Sequence, residues 1–367
     1  MQGFKYTIYL LLFITFFSCS NDEDYSEPIR ETYKHTAIIY MSADNNLSQN
    51  AQNGIEQLKK AQLNEEHNLI VYIDSNDNLP QLLKIENNEA KVVKTYIEQN
   101  SADPIILNYI LNDIANIFPS DTYGLVLWSH GSSWLPPQYQ TRSFGSDNYN
   151  EMDISELAEA LPIKYKYIIF DACFMGGIEV LYELKDKADY IISSPTEILT
   201  LGFPYTEIAP YLFLKEEKDL ITISELFFNH YNNMSGAYKS ASISLVKTER
   251  LQRLAALNNE LINKYPLTRW EYNQSEIQSL DLYSVSLMYD YQDFLSKNYP
   301  ENLLKEINQT LNELVLYKAH TDKFLNKLEI KSFSGISCYV PNKRYTQFHN
   351  YYKSLKWSYY SGWHLLL

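Results

Sequence analysis

The chain has 367 residues, with 31 Lys and Arg against 45 Asp and Glu and a formal net charge of −14. Proteins that bind a nucleic-acid backbone concentrate Lys and Arg, so this charge argues against nucleic acid as a partner. The length and the 45% hydrophobic content fit one large domain with extensions rather than two independent domains.

The first residues have the pattern of an export signal. Lys5 precedes an apolar run over residues 8–17, which is too short to span a bilayer comfortably. The run is followed by Ser18-Cys19, a small residue and a cysteine, which resembles a bacterial lipoprotein cleavage site. We therefore expect residues 1–18 to be a lipoprotein signal peptide; an ordinary cleaved secretory peptide is the alternative.

The residues after the cleavage site are expected to be a membrane tether. Residues 19–33 begin with Cys19, the expected lipidation site. They contain an acidic stretch at 21–24 without apolar side chains that could pack into a core. Cys19 would anchor the protein in the bacterial outer membrane. The acidic stretch also resembles the signals that carry some lipoproteins to the cell surface, which is the alternative location.

From residue 34 onward, strands and helices alternate, which predicts an α/β fold with a doubly wound, mostly parallel sheet and helices on both faces. We expect residues 34–250 to form the core and residues 251–367 to form a C-terminal extension of helices and strands packed on it. The predicted strands are 37–41, 69–73, 82–86, 92–97, 123–128, 165–170, 190–192, 241–246 and 334–340. The predicted helices are 47–63, 104–118, 153–161, 174–184, 220–231, 248–264 and 302–317.

One connection in this pattern is unusually long. Residues 132–150 contain Pro136, Pro137, Gly145 and several Ser and Asn, a composition typical of a surface loop. Long loops inside compact domains are usually functional.

Two reactive side chains follow neighbouring strands of the predicted sheet. His130 comes just after the strand 123–128, and Cys173 comes just after the strand 165–170. Parallel strands joined by one crossover helix are neighbours or near-neighbours, and their carboxyl ends meet at the same edge. We therefore expect His130 and Cys173 to lie in one crevice.

The pair has the chemistry of a nucleophile and its base. A thiol becomes reactive as the thiolate, which an imidazolium or a helix N-terminus stabilises, and a helix is expected directly after Cys173. His130 would hold the thiolate as an ion pair and later protonate a leaving amine. The N–H groups of Gly131 and Cys173 would form an oxyanion hole. Taken singly, a buried Cys is more often a small hydrophobe, which is the reading we adopt for Cys338 inside its apolar strand.

Two runs around these residues resemble the motifs of a known family. WSHG at 128–131 and DACFMG at 171–176 are similar to the His and Cys motifs of the clostripain family, cysteine peptidases related in fold to caspases, gingipains and legumains. Residues 40–47, 152–161 and 335–341 resemble further conserved stretches, so the resemblance covers nearly the whole chain after the tether. It implies a caspase-like fold and a cysteine endopeptidase that acts on protein or peptide substrates, with Cys173 as nucleophile and His130 as base.

The resemblance also implies a preference for substrates with a basic residue before the cleaved bond. The acidic S1 pocket of the family includes the Asp two positions before the nucleophile, which is Asp171 here; capping of the helix after Cys173 is the alternative role. The family usually continues with an acidic stretch that contains Gly and Trp. In this chain, Glu197 is the only acidic residue of 195–205, so Arg, Lys or a less polar residue remain open at P1.

Two further expectations follow from the resemblance. Some members cut themselves in the loop after the catalytic His, and Arg142 is the candidate position in this loop. Some members need calcium, and oxygen donors are present at Asp147, Asn148, Asn150, Glu151 and Asp153. Their spacing matches no 12-residue calcium loop, so we expect no metal or other cofactor and keep calcium as an alternative.

The main competing hypothesis assumes the same fold but no catalytic activity. It is a surface lipoprotein that binds peptides or glycans through the many tyrosines, 32 in all. A binding module does not need a nucleophile and a base together, which counts against this hypothesis. No long exposed apolar stripe is evident in the sequence, so a monomer is expected.

Overall fold

A computed structural model describes residues 32–63, 68–136, 144–147, 150–268 and 272–367 of the protein. A nine-stranded sheet runs through its centre. Its strands are β1 Tyr33–Ala43, β2 Asn68–Ser75, β3 Asn78–Glu86, β4 Glu89–Thr95, β5 Ser120–Trp128, β8 Tyr165–Asp171, β9 Ala188–Ser193, β10 Ser242–Lys247 and β12 Val315–His320. Shorter strands pair outside it: β6 Phe144–Asp147 with β7 Asn150–Met152, β11 Tyr289–Asp290 with β15 Ser337–Cys338, and β13 Lys323–Phe324 with β14 Leu328–Glu329.

The strand order is β12-β10-β9-β8-β5-β1-β2-β3-β4. The five strands from β9 to β2 are parallel, and two antiparallel strands extend the sheet at each edge. The expected α/β class with a mostly parallel sheet is confirmed. The hairpin expected over residues 82–97 is present as the antiparallel pair β3–β4 at one edge of the sheet.

Helices cover both faces of the sheet. Side chains alternate along β1, so that Ile38 and Tyr40 enter one core while Ile39 and Met41 enter the other. The helices are α1 Ser48–Lys59, α2 Pro104–Ile117, α3 Ile154–Ala160, α4 Ile178–Glu183, α5 Tyr205–Ile208, α6 Lys218–Asn232, α7 Leu251–Lys264, α8 Tyr291–Asn298, α9 Glu301–Leu314, α10 His349–Ser354 and α11 Lys356–Tyr360. No helix in the described ranges is both long and apolar enough to cross a membrane.

The crossover helix between β5 and β8 begins at a strong cap. The Asp153 carboxylate accepts a hydrogen bond from the Glu156 N–H at 2.8 Å, and the Glu156 carboxylate accepts one from the Asp153 N–H at 3.0 Å. This reciprocal arrangement satisfies two backbone donors that the first turn leaves unpaired. The cap fixes where α3 begins in the connection between β5 and β8, which are direct neighbours in the sheet.

Two predictions around the His130 and Cys173 motifs were wrong. The helix expected from Phe174 begins only at Ile178, because residues 172–176 form a turn in which Phe174 has a φ of +63°, outside the helical region. The loop 132–150 is not wholly irregular, since β6 and β7 form an antiparallel pair within it.

Two predictions near the C-terminus were also wrong. The helix expected over 302–317 ends at Leu314, and the chain continues as β12 because the free edge of β10 supplies backbone partners. The strand expected over 334–340 contains only Ser337–Cys338 as β15, since the neighbouring β11 has just two residues to pair with it.

The last third of the chain packs on the helices of the core. The Glu179 Oε1 atom on α4 accepts hydrogen bonds from the Tyr339 N–H at 2.9 Å and from the Tyr352 hydroxyl at 2.6 Å. The Trp134 ring, four residues after His130, lies with its centroid 4.7 Å from that of Tyr339. Cys338 is fully buried in this region, as its apolar strand predicted.

Candidate active site

The register of β5 and β8 brings His130 and Cys173 to the same level. Trp128 pairs with Asp171 across the two strands, and His130 and Cys173 each lie two residues further along. The Ser129 N–H donates to the Asp171 carbonyl at 3.3 Å, which continues the contact beyond the sheet. Both side chains line one cavity of about 60 Å³. The shared crevice predicted from the sequence is therefore present.

Gly131 lies against the backbone of Cys173. A Cβ atom at Gly131 would be 2.6 Å from the Cys173 carbonyl oxygen and 3.2 Å from its nitrogen. Only a residue without a side chain permits this approach. The two backbone segments expected to supply an oxyanion hole are thus in direct contact.

The Cys173 thiol is held by one residue of a neighbouring segment. The Ile198 N–H donates to Sγ at 3.3 Å, and Sγ donates to the Ile198 carbonyl at 3.5 Å. Cys173 keeps partial exposure as a residue, but dense surroundings bury the sulfur and raise the pKa of the thiol to about 12. Because α4 starts only at Ile178, no helix N-terminus offsets this effect.

His130 is oriented by Asn46. Its Nε2 atom lies 2.7 Å from the Asn46 Oδ1 atom, which accepts hydrogen bonds only, so in this amide orientation Nε2 carries the proton. The Nδ1 lone pair of the neutral ring is then the one available to take a proton. Burial lowers the pKa of His130. The directions of the two pKa shifts favour a neutral imidazole and a neutral thiol in this conformation.

Asn46 did not emerge as a site residue in the sequence analysis. It follows β1, the strand beside β5, at the same edge of the sheet. The signal was present in the polar run Asp44-Asn45-Asn46, which directly follows a buried strand. No local pattern, however, connects residue 46 with residue 130.

Asp171 is almost completely buried at the end of β8, with 5% exposure. Its Oδ2 atom accepts hydrogen bonds from the Phe203 N–H at 3.1 Å and from the Tyr205 hydroxyl at 2.9 Å. Burial is the main cause that raises the pKa of this carboxyl, to about 6. The helix after Cys173, α4, begins only at Ile178 and has Gly177 at its N-cap, so the alternative role of Asp171 as the cap of that helix is wrong. Asp171 lines the cavity that His130 and Cys173 share.

Glu197 lies near this cavity but is not part of its wall. The wall on that side is formed by Ile198, Leu199, Thr200 and Gly202. Glu197 is half-buried, and burial raises the pKa of its carboxyl while the charge of Lys327 lowers it. We call residues 196–202 the thiol-covering segment; residues 198–200 and 202 of this segment line the cavity together with Asp171, and Glu197 does not.

The other predicted site residues are only partly described. Cys19, Arg142 and Asn148 lie outside the described residues. The Asp147 carboxylate accepts hydrogen bonds from the backbone N–H and the hydroxyl of Ser101, and Asp153 caps α3. Within the described residues, no group of three or more His, Cys, Asp or Glu side chains is placed to hold a metal ion.

Comparisons with known proteins point to one family. A family model described as the clostripain family matches residues 39–367. Clostripain of Hathewaya histolytica is 26% identical over an alignment 217 residues long that covers 48% of this chain and only 41% of that protein.

Two solved structures share the fold over most of the chain. An inactive zymogen C11 protease from Parabacteroides distasonis is 33% identical with a TM-score of 0.79, covering 91% of this chain and 99% of that one. A secreted C11 cysteine protease from Bacteroides thetaiotaomicron, in complex with an irreversible peptide inhibitor, is 27% identical with a TM-score of 0.80, covering 90% and 99%.

Proposed function

The chain belongs to the clostripain family of cysteine peptidases, and on that premise we propose that it is an endopeptidase with Cys173 as nucleophile and His130 as base. The observation that carries the proposal is the β5–β8 register, which brings both side chains to one cavity. A pure binding protein would have no use for this arrangement.

The proposed reaction passes through an acyl-enzyme. His130 takes the Cys173 proton at Nδ1, and Sγ attacks the scissile carbonyl carbon. The N–H groups of Gly131 and Cys173 stabilise the oxyanion, and the imidazolium returns its proton to the leaving amine as the C–N bond breaks. Water, deprotonated by His130, then attacks the thioester and releases the acid and the thiol.

Substrate binding requires the thiol-covering segment to move. A cavity of about 60 Å³ is well below the roughly 300–1,000 Å³ of pockets that bind drug-sized ligands. The Ile198 backbone also occupies the Sγ atom that must attack. Displacement of residues 196–202 would free the thiol and open the space beside Asp171 in one step.

Asp171 is the proposed anchor for a basic P1 residue. Both of its hydrogen bonds from Phe203 and Tyr205 end on Oδ2, which leaves Oδ1 for a substrate cation. A buried carboxylate gains most from such a partner, because ionising it without one is costly. Glu197 would contribute as a second negative charge only after the segment moves.

The test is a fluorogenic peptide panel that varies P1 among Arg, Lys, Leu, Gln and Asp. Wild-type protein should cleave a basic peptide, and Cys173→Ala should lose all turnover. Cys338→Ala is the matched control, because it removes the other described cysteine at a fully buried position outside the cavity. Turnover that survives in Cys173→Ala would refute the nucleophile. No turnover in wild type would instead favour a binding protein of the same fold.

We further propose self-processing after Arg142. Mass spectrometry of purified wild type should show a break at this bond, and Arg142→Ala should remain intact. An Arg142→Ala protein that matures like wild type would exclude the site.

Export and lipid anchoring at Cys19 complete the proposal. Cells that express wild-type protein should hold it in the membrane fraction with a lipid-modified N-terminus. Cys19→Ser should release it from the membrane. Wild-type protein found only in the soluble fraction would contradict lipid anchoring at Cys19 but would not contradict export.

A further inference from the structure

Two exposed apolar side chains lie beside the turn that carries the nucleophile. Phe174, which directly follows Cys173, has its ring centroid 5.9 Å from that of Tyr283. Tyr283 is 38% exposed and its neighbour Leu282 is 39% exposed. Single exposed hydrophobic residues are ordinary on a protein surface. This pair differs because the Tyr283 ring packs against Phe174, the residue that follows the nucleophile.

The loop that carries the pair is fixed in place. The buried Asp281 carboxylate accepts hydrogen bonds from the backbone N–H groups of Tyr283, Leu287 and Met288, at 3.0, 2.7 and 2.7 Å. The Tyr345 hydroxyl donates to the Val285 carbonyl at 2.9 Å and holds the far side of the loop. A surface ordered in advance loses little conformational entropy when a ligand binds.

The charges around the pair select against acidic ligands. Burial, and then the negative charges of Asp281 and Glu197, raise the pKa of Tyr283 to about 12, so its hydroxyl stays neutral in the physiological range. An acidic substrate residue placed here would meet those two carboxylates. A neutral apolar side chain would instead cover Leu282 and the Tyr283 ring and remove them from water.

We infer that Leu282 and Tyr283 form a substrate subsite that binds an apolar side chain close to the cleaved bond. The inference rests on the proposed function, because it assigns to this surface the substrate of that same reaction. Binding a side chain next to the reacting bond holds the scissile carbonyl against Sγ, and such positioning raises the rate of the chemical step.

The test compares internally quenched peptides with full-length protein. All peptides share the P1 residue that wild type prefers, and each carries Leu, Ser or Asp at one position from P3 to P2′. Wild type should prefer Leu over Ser at one of these positions by about tenfold or more in kcat/KM and should cleave the Asp peptide most slowly. In Tyr283→Ala and in Leu282→Ser, the Leu-to-Ser ratio at that position should fall toward one.

Tyr359→Ala is the matched control. It removes a tyrosine that is 67% exposed on α11, a helix that packs on α4, α7 and α10, and it should keep the wild-type ratio. Melting temperatures of all variants would show that the fold is retained. If wild type cleaves peptides but shows no preference for Leu, the subsite is overturned and the proposed function stands. The same holds if the Tyr283 and Leu282 variants keep the wild-type preference for Leu. A wild type without any turnover would overturn the proposed function first.

Discussion

At the scale of single residues, Gly131 is the position where a small change should have the largest effect on catalysis. Its Cβ would be 2.6 Å from the Cys173 carbonyl oxygen, so Gly131→Ala must push the nucleophile and the base apart. We expect kcat/KM to fall about 100-fold or more, because a displacement near 1 Å costs that much.

The control for this variant is Gly54→Ala. Its Cβ on α1 would lie 3.3 Å from the flexible end of Met41 and 3.8 Å from the Tyr205 ring, the latter an ordinary van der Waals contact, so this change should keep activity near wild type. Steady-state kinetics on the preferred peptide, together with melting temperatures, separates the two cases. A Gly131→Ala protein with wild-type kinetics would show that the close approach is not needed.

The site residues that the sequence could predict are those tied to strand ends. His130 and Cys173 were predictable because each follows a continuous apolar strand, and the rule that parallel strands end at one edge does not depend on tertiary detail. Asn46 and Ile198 were not predictable. Their contacts with His130 and Cys173 join positions 84 and 25 residues apart and depend on the final packing.

At the scale of structural elements, we expect the thiol-covering segment to control the reactivity of Cys173, because Ile198 contacts Sγ. While it stays in place, the thiol has a pKa of about 12. The thiolate fraction then rises about tenfold per pH unit throughout the neutral range. Alkylation by iodoacetamide should therefore accelerate steadily from pH 7 to pH 9, with Cys173→Ala giving the background.

A thiol reagent attached to a substrate-like peptide should label Cys173 quickly even at neutral pH. Its peptide displaces residues 196–202, so labelling at pH 7 should be much faster than iodoacetamide at equal concentration. A plateau of the iodoacetamide rate near pH 7 would show instead that the thiolate already forms in the resting protein.

Element boundaries were harder to predict than element types. The apolar residues of 174–184 have helical spacing, yet the helix starts at Ile178 because the preceding turn packs against a distant segment. A Cβ at Gly176 would be 2.6 Å from the Pro195 nitrogen, and the Phe174 N–H donates to the Thr196 carbonyl at 2.8 Å. Similarly, β12 became a strand because β10 offered a free edge. Local pattern carries no information on either partner.

At the scale of the whole molecule, Glu179 links the core to the last third of the chain. Burial raises the pKa of this carboxyl to about 7 in the folded protein, above its usual 4.5. Between these values the folded state binds more protons than the unfolded state, so stability falls as pH rises. The contribution is complete below about pH 4.5 and is lost as pH passes 7.

Glu179→Gln should remove this pH dependence, because an amide does not ionise. We expect the free energy of unfolding of wild type, relative to the variant, to fall by a few kcal/mol between pH 5 and pH 8. Urea unfolding at the two pH values measures it. Glu56→Gln, at an exposed position on α1, should behave like wild type. Parallel curves for wild type and Glu179→Gln would contradict the assignment.

The β5–β8 register has a consequence for the covalent chain. His130 and Cys173 each follow their own strand, and those strands hold one another by hydrogen bonds along their length. Peptide continuity between them plays no part in aligning the two side chains. A single break between residues 132 and 153 would divide the protein into two polypeptides, and the sheet would keep His130 on one of them in register with Cys173 on the other.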